Sequence, residues 1–313
     1  MTASTALSSF SSSASASTSS SASSSFPRVW MITGASRGIG ARIAEAALAQ
    51  GDAVVATSRH ADAITRRLGT RGALLPVALD VTDEAQARHA VGAALERFGR
   101  IDVLVNNAGY GLLGAVEEST ADEVLRLYQT NVFGLLHVTR AVLPSMRARR
   151  AGHVINISSL GGVISSAGFG VYCSTKFAVE GLTEALHAEL APLGIHATVV
   201  EPGYFRTEFL DGASLAVSPQ LLDDYAASAG AVREAARRIN LNQPGDPVRL
   251  AQAVMQLVAS PTPPLRLPLG TDTLQAIADK HAFVARETAQ WRAVAASTDF
   301  PAQAAEGATA LSA

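Results

Sequence analysis

Residues 28–40, RVWMITGASRGIG, place an apolar run, a glycine-rich turn and the start of an amphipathic helix in immediate succession. Glycines in such a turn let the backbone come close to a pyrophosphate, and the free N–H groups at the helix start face an anion along the helix dipole. Gly34, Ser36, Arg37, Gly38, Ile39 and Gly40 are therefore candidate phosphate contacts. A glycine turn that binds nothing is the competing reading. The spacing is G-x-x-x-G-x-G, one residue longer before the second glycine than the usual dinucleotide fingerprint. A strand running into a helix through a tight turn must cross over to its next strand, and the rest of the chain repeats that rhythm. Apolar runs at 53–57, 74–79, 101–105, 153–157, 195–200 and 266–270 alternate with helical patterns ending near 50, 98, 150, 190, 259 and 295. The alternation predicts an α/β fold: a doubly wound, mostly parallel sheet with helices on both faces.

Composition sets outer limits. The chain has 313 residues, 48% of them hydrophobic, which suits one large domain or two small ones. A formal charge of −2 gives no field for nucleic acid, so no nucleic-acid partner is expected. The basic run Arg147-Ala148-Arg149-Arg150 reads as the C-terminal turn of a helix, where cations suit the dipole. A single cysteine, Cys173, excludes an intrachain disulfide and agrees with a reducing, cytoplasmic setting. No apolar run reaches the length of a membrane span, and no metal-ligand spacing occurs. Residues 1–26 are dominated by serine, alanine and threonine, too polar to offset their ordering entropy, and are expected to be disordered. The folded domain is expected over 27–296 and a flexible tail over 297–313. A looser stretch at about 204–245, carrying Tyr204, Phe205, Phe209 and Leu210, suits a substrate lid.

The ends of the expected strands carry the remaining candidates. After the second strand, where a carboxylate would bind a ribose 2′-hydroxyl, stand Ser58 and Arg59. Arg59 and Arg37, with no acid beside them, suit a 2′-phosphate, so NADP(H) is favoured over NAD(H). Asp80 and Val81 close the third strand, and Asp80 is placed to meet the adenine amine. Thr82 or Asp83 would cap the next helix. Asn107, Ala108 and Gly109 close the fourth, in the crevice where open α/β sheets bind ligands.

The helix after the fifth strand holds Tyr172 and Lys176, one turn apart on one face. A nearby ammonium favours the phenolate, so Lys176 is expected to lower the pKa of Tyr172 and make it a general acid/base. The chain has five tyrosines but only two lysines, so this spacing is rarely met by chance. Phe177, Leu182, Leu186 and Leu190 would point that helix inward. A single long helix is expected from Thr120, with a Thr120-x-x-Glu123 capping box, through Arg150. Leu125, Tyr128, Val132, Leu135, Leu136, Val142, Leu143 and Met146 make its apolar stripe, and Pro144 bends its end. Asn131 lies within it among apolar neighbours, as a satisfied core amide or as part of a water-bearing relay.

Taken together, TGASRGIG, Asp80, NNAG at 106–109, Asn131, Ser159, YCSTK at 172–176 and PGYFRT at 202–207 resemble the short-chain dehydrogenase/reductase superfamily, over about residues 28–270. The resemblance implies a single-domain, Rossmann-like enzyme that moves a hydride between a nicotinamide and a carbonyl or secondary alcohol. Tyr172 would exchange the proton, and Ser159, chosen over Ser158 for its distance from the tyrosine, would bind the same oxygen. Lys176 would hold the nicotinamide ribose, and Asn131 would anchor a relay water. Pro202, Gly203 and Thr207 would border the nicotinamide, and Asn107 would lie along the cofactor. It also implies a homo-dimer or homo-tetramer built on the long helices, and a small, in many relatives hydrophobic, ketone, aldehyde or alcohol as substrate. The alternative is a non-catalytic NADP-binding sensor or scaffold of the same fold.

Overall fold

In a computed structural model that describes residues 26–300, seven parallel strands form one sheet in the order β3-β2-β1-β4-β6-β7-β9. The first half comprises β1 (Val29–Ile32), α1 (Gly38–Ala49), β2 (Ala53–Ser58), α2 (Ala61–Leu68), β3 (Leu74–Ala78), α3 (Glu84–Phe98) and β4 (Val103–Asn106). A three-residue strand β5 (Gly111–Leu113) precedes α4 (Ala121–Tyr128), α5 (Gly134–Arg149), β6 (Gly152–Ile157) and α6 (Gly170–Leu190). The chain continues through β7 (Ile195–Pro202), β8 (Leu215–Val217), α7 (Ala231–Ile239), α8 (Pro247–Ala259), β9 (Arg266–Leu269) and α9 (Thr271–Ala296). The order reverses between β1 and β4, which opens a crevice above their carboxyl ends. The expected disorder of residues 1–25 and most of the tail, 301–313, lie outside the described residues; Phe26 and the turn at 297–300 lie inside them.

Each central strand is buried on both faces, which is why it reads as an unbroken apolar run. Val29 and Met31 of β1 enter the core shared with α3 and α5, while Trp30 and Ile32 enter the core shared with α1 and α8. The indole N–H of Trp30 donates to Asp52 Oδ2 at 2.8 Å, so its one polar atom is satisfied inside. Arg149, at the end of α5, is not a free basic patch: it donates to Asp102 Oδ1 at 2.8 Å.

The expected single helix over 120–150 is broken. Its capping box forms as read, with Thr120 and Glu123 exchanging hydrogen bonds. After Tyr128 the chain makes one wide π-turn, Gln129–Phe133, before α5 begins, and α5 then runs through Pro144 to Arg149. One extra residue in a turn rotates everything upstream, so Leu125 points to solvent rather than joining the apolar stripe. Phe177 of α6 is likewise exposed, not inward, whereas Leu190 is buried. Within the looser stretch at 204–245 the chain forms a short 3-10 turn, a π-turn and α7. Asp83, rather than Thr82, caps α3, accepting from Ala85 N and Gln86 N.

Candidate active site

The glycine turn does two different jobs. Gly34 and Gly38 take φ of +65° and +55°, the left-handed region that favours glycine. Gly40 has an ordinary helical place, but a Cβ there would lie 2.4 Å from Asn107 Nδ2 and 2.7 Å from the Gly34 carbonyl. Its missing side chain therefore makes room for Asn107, not directly for a phosphate. Asn107 uses that room: its amide donates to the Thr33 and Gly34 carbonyls at 2.8 and 3.1 Å. Thr33 Oγ1 answers by accepting from the N–H groups of Asn107 and Ala108 at 2.9 and 3.0 Å. No side chain caps α1, so the N–H groups of its first turn stay open at the crevice. An uncapped helix start under a left-handed glycine turn fits a dinucleotide pyrophosphate.

A cavity of about 820 Å³ runs along the crevice from Ser58 and Arg59 to Tyr172 and Phe209. Every candidate residue named from the sequence borders it except Gly40 and Asn131. At the β2 end of the cavity Ser58 Oγ donates to the His60 carbonyl at 2.8 Å, and Arg59 is exposed with no ion pair among the described residues. Arg37 reaches across and donates to the Ala213 carbonyl at 2.5 Å, tying the turn to the 204–245 stretch. Asp80 is partly committed: its Oδ1 accepts from Thr82 N at 3.0 Å and Thr82 Oγ1 at 2.8 Å. Val81 holds its place against α5, its carbonyl 3.0 Å from His137 Nδ1.

At the other end, Ser159, Tyr172 and Lys176 converge. A Cβ on Gly161 would lie 3.4 Å from Tyr172 Cε1 and 3.5 Å from Ser159 Oγ, so the serine and the phenol flank one bare glycine. Ser159 Oγ accepts from Gly161 N at 3.0 Å, which fixes its rotamer. Ser158 faces away: a Cβ on Gly162 would sit 2.4 Å from Ser158 Oγ and 2.7 Å from Glu180 Oε1, placing that serine beside a buried carboxylate. Lys176 Nζ donates to the Ile157 carbonyl at 2.9 Å and stands 5.8 Å from the centre of the Tyr172 ring. Phe169 and Phe209 pack against the same ring, with centroids 6.0 and 5.7 Å away.

The electrostatics differ from the sequence-based expectation. Burial pushes the Tyr172 phenol above its ordinary range, opposed by its hydrogen bond with Ser159. The ammonium is itself desolvated, and burial pushes Lys176 down to about 8. The protein around this ring thus keeps the phenol neutral. The Asn131 side chain is a satisfied core amide. Its Oδ1 accepts from Tyr110 N at 3.1 Å, and its Nδ2 donates to the Tyr110 carbonyl at 2.9 Å and to Thr175 Oγ1 at 3.1 Å. The side chain is a strut that ties the π-turn to the strand-end loop and to α6. Thr175 Oγ1 in turn donates to the Tyr172 carbonyl at 2.7 Å, so the strut reaches the tyrosine's own backbone.

The loop after β7 closes the site. Pro202, Gly203 and Thr207 border the cavity, and Thr207 accepts from Phe209 N at 3.3 Å. Gly203 is bare because the Asp272 carboxylate occupies the space a Cβ would take, at 2.3 Å, while Tyr204 N donates to Asp272 Oδ2 at 2.7 Å. The first turn of α9 thereby holds this loop. Two features of the 204–245 stretch gave no usable sequence signal. One is the pairing of β5 with β8, two three-residue strands that join this stretch to the segment after β4. The other is the buried ion pair of Arg233 with Glu118, Nη1 to Oε2 at 2.6 Å, across 115 positions. Glu118 also accepts from Ala115 N and Leu222 N, and with Arg233 these hold its carboxyl at about 2.

Against known proteins, the short chain dehydrogenase profile matches residues 28–216. The chain belongs to the short-chain dehydrogenase/reductase family. This dehydrogenase is 40% identical over 267 residues to "Oxidoreductase BOA17" of Botryotinia fuckeliana, covering 85% of the chain and 97% of the relative. It is 38% identical over 244 residues to a "3-ketodihydrosphingosine reductase" of Bacteroides thetaiotaomicron, covering 78% and 88%. A solved short-chain dehydrogenase from Streptomyces avermitilis superposes with TM-score 0.81 at 41% identity, over 87% of this chain and 100% of that one. Two further solved relatives carry the cofactors in question. One, from Burkholderia phymatum, is in complex with NAD (26% identity, 83% and 95% coverage, TM-score 0.74), and a serine dehydrogenase is complexed with NADP+ (28%, 77% and 94%, 0.65). The protein is an NAD(P)-dependent oxidoreductase of this family, and no helix among its described residues is long and apolar enough to cross a membrane.

Proposed function

We propose that this enzyme reduces the carbonyl of a small hydrophobic ketone or aldehyde in the cytoplasm, with NADP(H) preferred over NAD(H). The observation that carries the reading is the convergence of Ser159 and Tyr172 on Gly161, with the Lys176 ammonium over the phenol ring. When bound, a reduced nicotinamide supplies the hydride. The chain's own residues handle the proton and the positioning. Ser159 Oγ and the Tyr172 hydroxyl bind the substrate oxygen, and Tyr172 gives it a proton as the carbonyl carbon is reduced. A phenol that burial keeps protonated is in the donor form near neutrality, which supports reduction over oxidation. Lys176, held at the end of β6, binds the nicotinamide ribose and offsets the charge left on Tyr172.

For the cofactor, Ser58 with Arg59 and Arg37 gives two exposed guanidiniums and no carboxylate at the end of β2, which supports recognition of a 2′-phosphate. For the substrate, Tyr110, Phe169, Tyr204, Phe209 and Leu215 line the half of the cavity beside Tyr172, an apolar and aromatic wall. A relative named for the reduction of a ketone agrees with that class. Outward-facing Leu125, Phe133 and Phe177 on α4, the π-turn and α6 support a homo-dimer or homo-tetramer. The decisive assay follows NADPH and NADH oxidation in parallel over a panel of ketones and aldehydes. Tyr172→Phe should bind NADPH normally and lose turnover by about 10²–10⁴-fold. A panel with cofactor binding and no turnover on any carbonyl would favour a non-catalytic sensor instead.

A further inference from the structure

Tyr172, Lys176, Glu180 and Glu184 recur at every fourth position of α6, a stripe along one side of the helix. The first three are buried and the Glu184 side chain is 56% exposed, so the stripe starts at the reacting groups and ends at solvent. Two adjacent glycines in the turn after β6 mark how near its acidic half lies to the site. Gly161 is bare beside Ser159 and Tyr172, while Ser158 Oγ and Glu180 Oε1 crowd the place of a Gly162 Cβ. Lys176 Nζ donates to the carbonyl of Ile157, the residue just before Ser158. Lys176 and Glu180 make no direct ion pair among the described residues, so any influence between them acts across the turn that separates them.

Glu180 is held from other elements. Arg266, the first residue of β9, donates through Nη1 to Glu180 Oε2 and, at 2.9 Å, to Glu201 Oε1 of β7, and through Nη2 to Glu184 Oε1. One guanidinium thus faces three carboxyl groups, and Glu180 and Glu201 are only 5% and 1% exposed. Three oxygens here, Ser158 Oγ, Glu180 Oε1 and Glu201 Oε2, have no hydrogen-bond partner and almost no surface that a water could touch. A carboxylate only accepts hydrogen bonds, and two of them on one guanidinium nitrogen share the site most readily with a proton on one. Burial pushes the Glu180 carboxyl above the usual carboxylate range and the Glu201 charge adds to that, opposed by the nearby Ser158 hydroxyl and Arg266. Glu180 is therefore the acid that keeps this proton near neutrality and releases it as the pH rises.

Around Lys176, Gly109 after β4, Asn131 in the π-turn and the Ile157 carbonyl bring no charge, and the Tyr172 phenol stays neutral. Burial pushes the ammonium down to about 8, and the Glu180 charge opposes that. We infer that Glu180 is a positioning residue for the proton chemistry: anchored by Arg266 one helical turn from Lys176, its carboxylate keeps the ammonium charged. Glu180 does not border the cavity, so it acts through Lys176 alone. The two groups ionise in sequence, and the supporting charge arrives before the ammonium loses its proton. The inference rests on the proposed roles of Tyr172 and Lys176.

The chain has only two lysines, which makes the test direct. Full-length protein carrying lysine labelled with carbon-13 at Cε gives two NMR signals, Lys176 and Lys280, told apart by Lys280→Arg. The Lys176 signal should titrate near pH of about 8 in the wild type and about one pH unit lower in Glu180→Gln, which removes the charge and keeps the shape. Glu180→Asp keeps the charge and should titrate close to the wild type. Glu184→Gln loosens the same guanidinium from the solvent side and should move the midpoint by less than about 0.3 unit, because water screens that charge. Arg266→Met leaves Glu180 buried without its cation, hence uncharged, and should lower the midpoint as Glu180→Gln does. It answers the question if Glu180→Gln fails to fold. The alkaline fall in kcat/KM for carbonyl reduction should move with the NMR midpoint. A Lys176 midpoint unchanged in Glu180→Gln, or moved as far by Glu184→Gln, overturns the proposal. A midpoint that shifts in a protein turning over no carbonyl upholds the coupling and refutes the proposed reduction instead.

Discussion

Gly40→Ala is a one-carbon change whose cost can be read from the site. The new methyl would start 2.4 Å from Asn107 Nδ2 and 2.7 Å from the Gly34 carbonyl, against an ordinary contact of about 3.5–4 Å. The carbonyl belongs to the turn backbone, so the asparagine must give way by about 1 Å. Its hydrogen bonds to Thr33 O and Gly34 O, at 2.8 and 3.1 Å, do not survive that. Two such bonds contribute about 1 kcal/mol each, and overpacking adds about 1–3 kcal/mol. The better helix propensity of alanine returns about 1 kcal/mol. The net destabilisation is about 2–4 kcal/mol, or a fall in Tm of roughly 5–15 °C for a domain of this size. The same exchange at Gly92, in α3, meets nothing within 4 Å and should raise Tm by about 2–4 °C. Thermal melts of the two variants, with a fluorescence titration of NADPH, decide the matter. If Gly40→Ala melts with the wild type and binds NADPH as well, the packing of Asn107 on this glycine is not what shapes the turn.

Three further outcomes are expected. The kcat/KM for carbonyl reduction should be level near neutrality and fall above pH of about 8, because burial pushes the Lys176 ammonium down to about 8 while the Tyr172 phenol stays protonated; a profile flat to pH of about 10 counts against Lys176 acting as the cation. Ser159→Ala should lose turnover by about 10²-fold or more while Ser158→Ala, beside Glu180, stays close to wild type in steady-state kinetics; the reverse order would exchange their roles. Arg233→Met leaves the buried Glu118 carboxylate without its guanidinium, so limited proteolysis should cut within about 208–240 in the variant and spare the wild type; equal resistance would show that the pair does not pin the lid.

How much of this was legible in the chain follows from what kind of physics each feature rests on. The sheet was readable because strands buried on both faces must be apolar throughout, as in VWMI and AVVATS. The crevice was readable because Gly34 and Gly38 need left-handed backbone and because strand ends converge at one edge. The π-turn was not, since Gln129–Phe133 keeps an apolar spacing close to that of an ordinary helix. The 204–245 stretch was only outlined, because Glu118 and Arg233 meet across 115 positions and nothing local announces them. The state of Tyr172 was misjudged for a related reason: spacing reveals that Lys176 is near, but desolvation by Phe169 and Phe209 comes from packing. The outward turn of Leu125 follows from the same unseen residue as the π-turn.

That extra residue sets a constraint on how the chain can vary. Deleting Thr130 would restore a straight, better-bonded helix from Thr120 to Arg149, yet it would swing Asn131 by about 100° away from Tyr110 and Thr175. A shorter and locally more regular sequence would then fold into a sheet still intact, with the tyrosine's helix detached from the loop opposite it. Length between 128 and 134 is therefore held by the contacts of Asn131 with Tyr110 and Thr175.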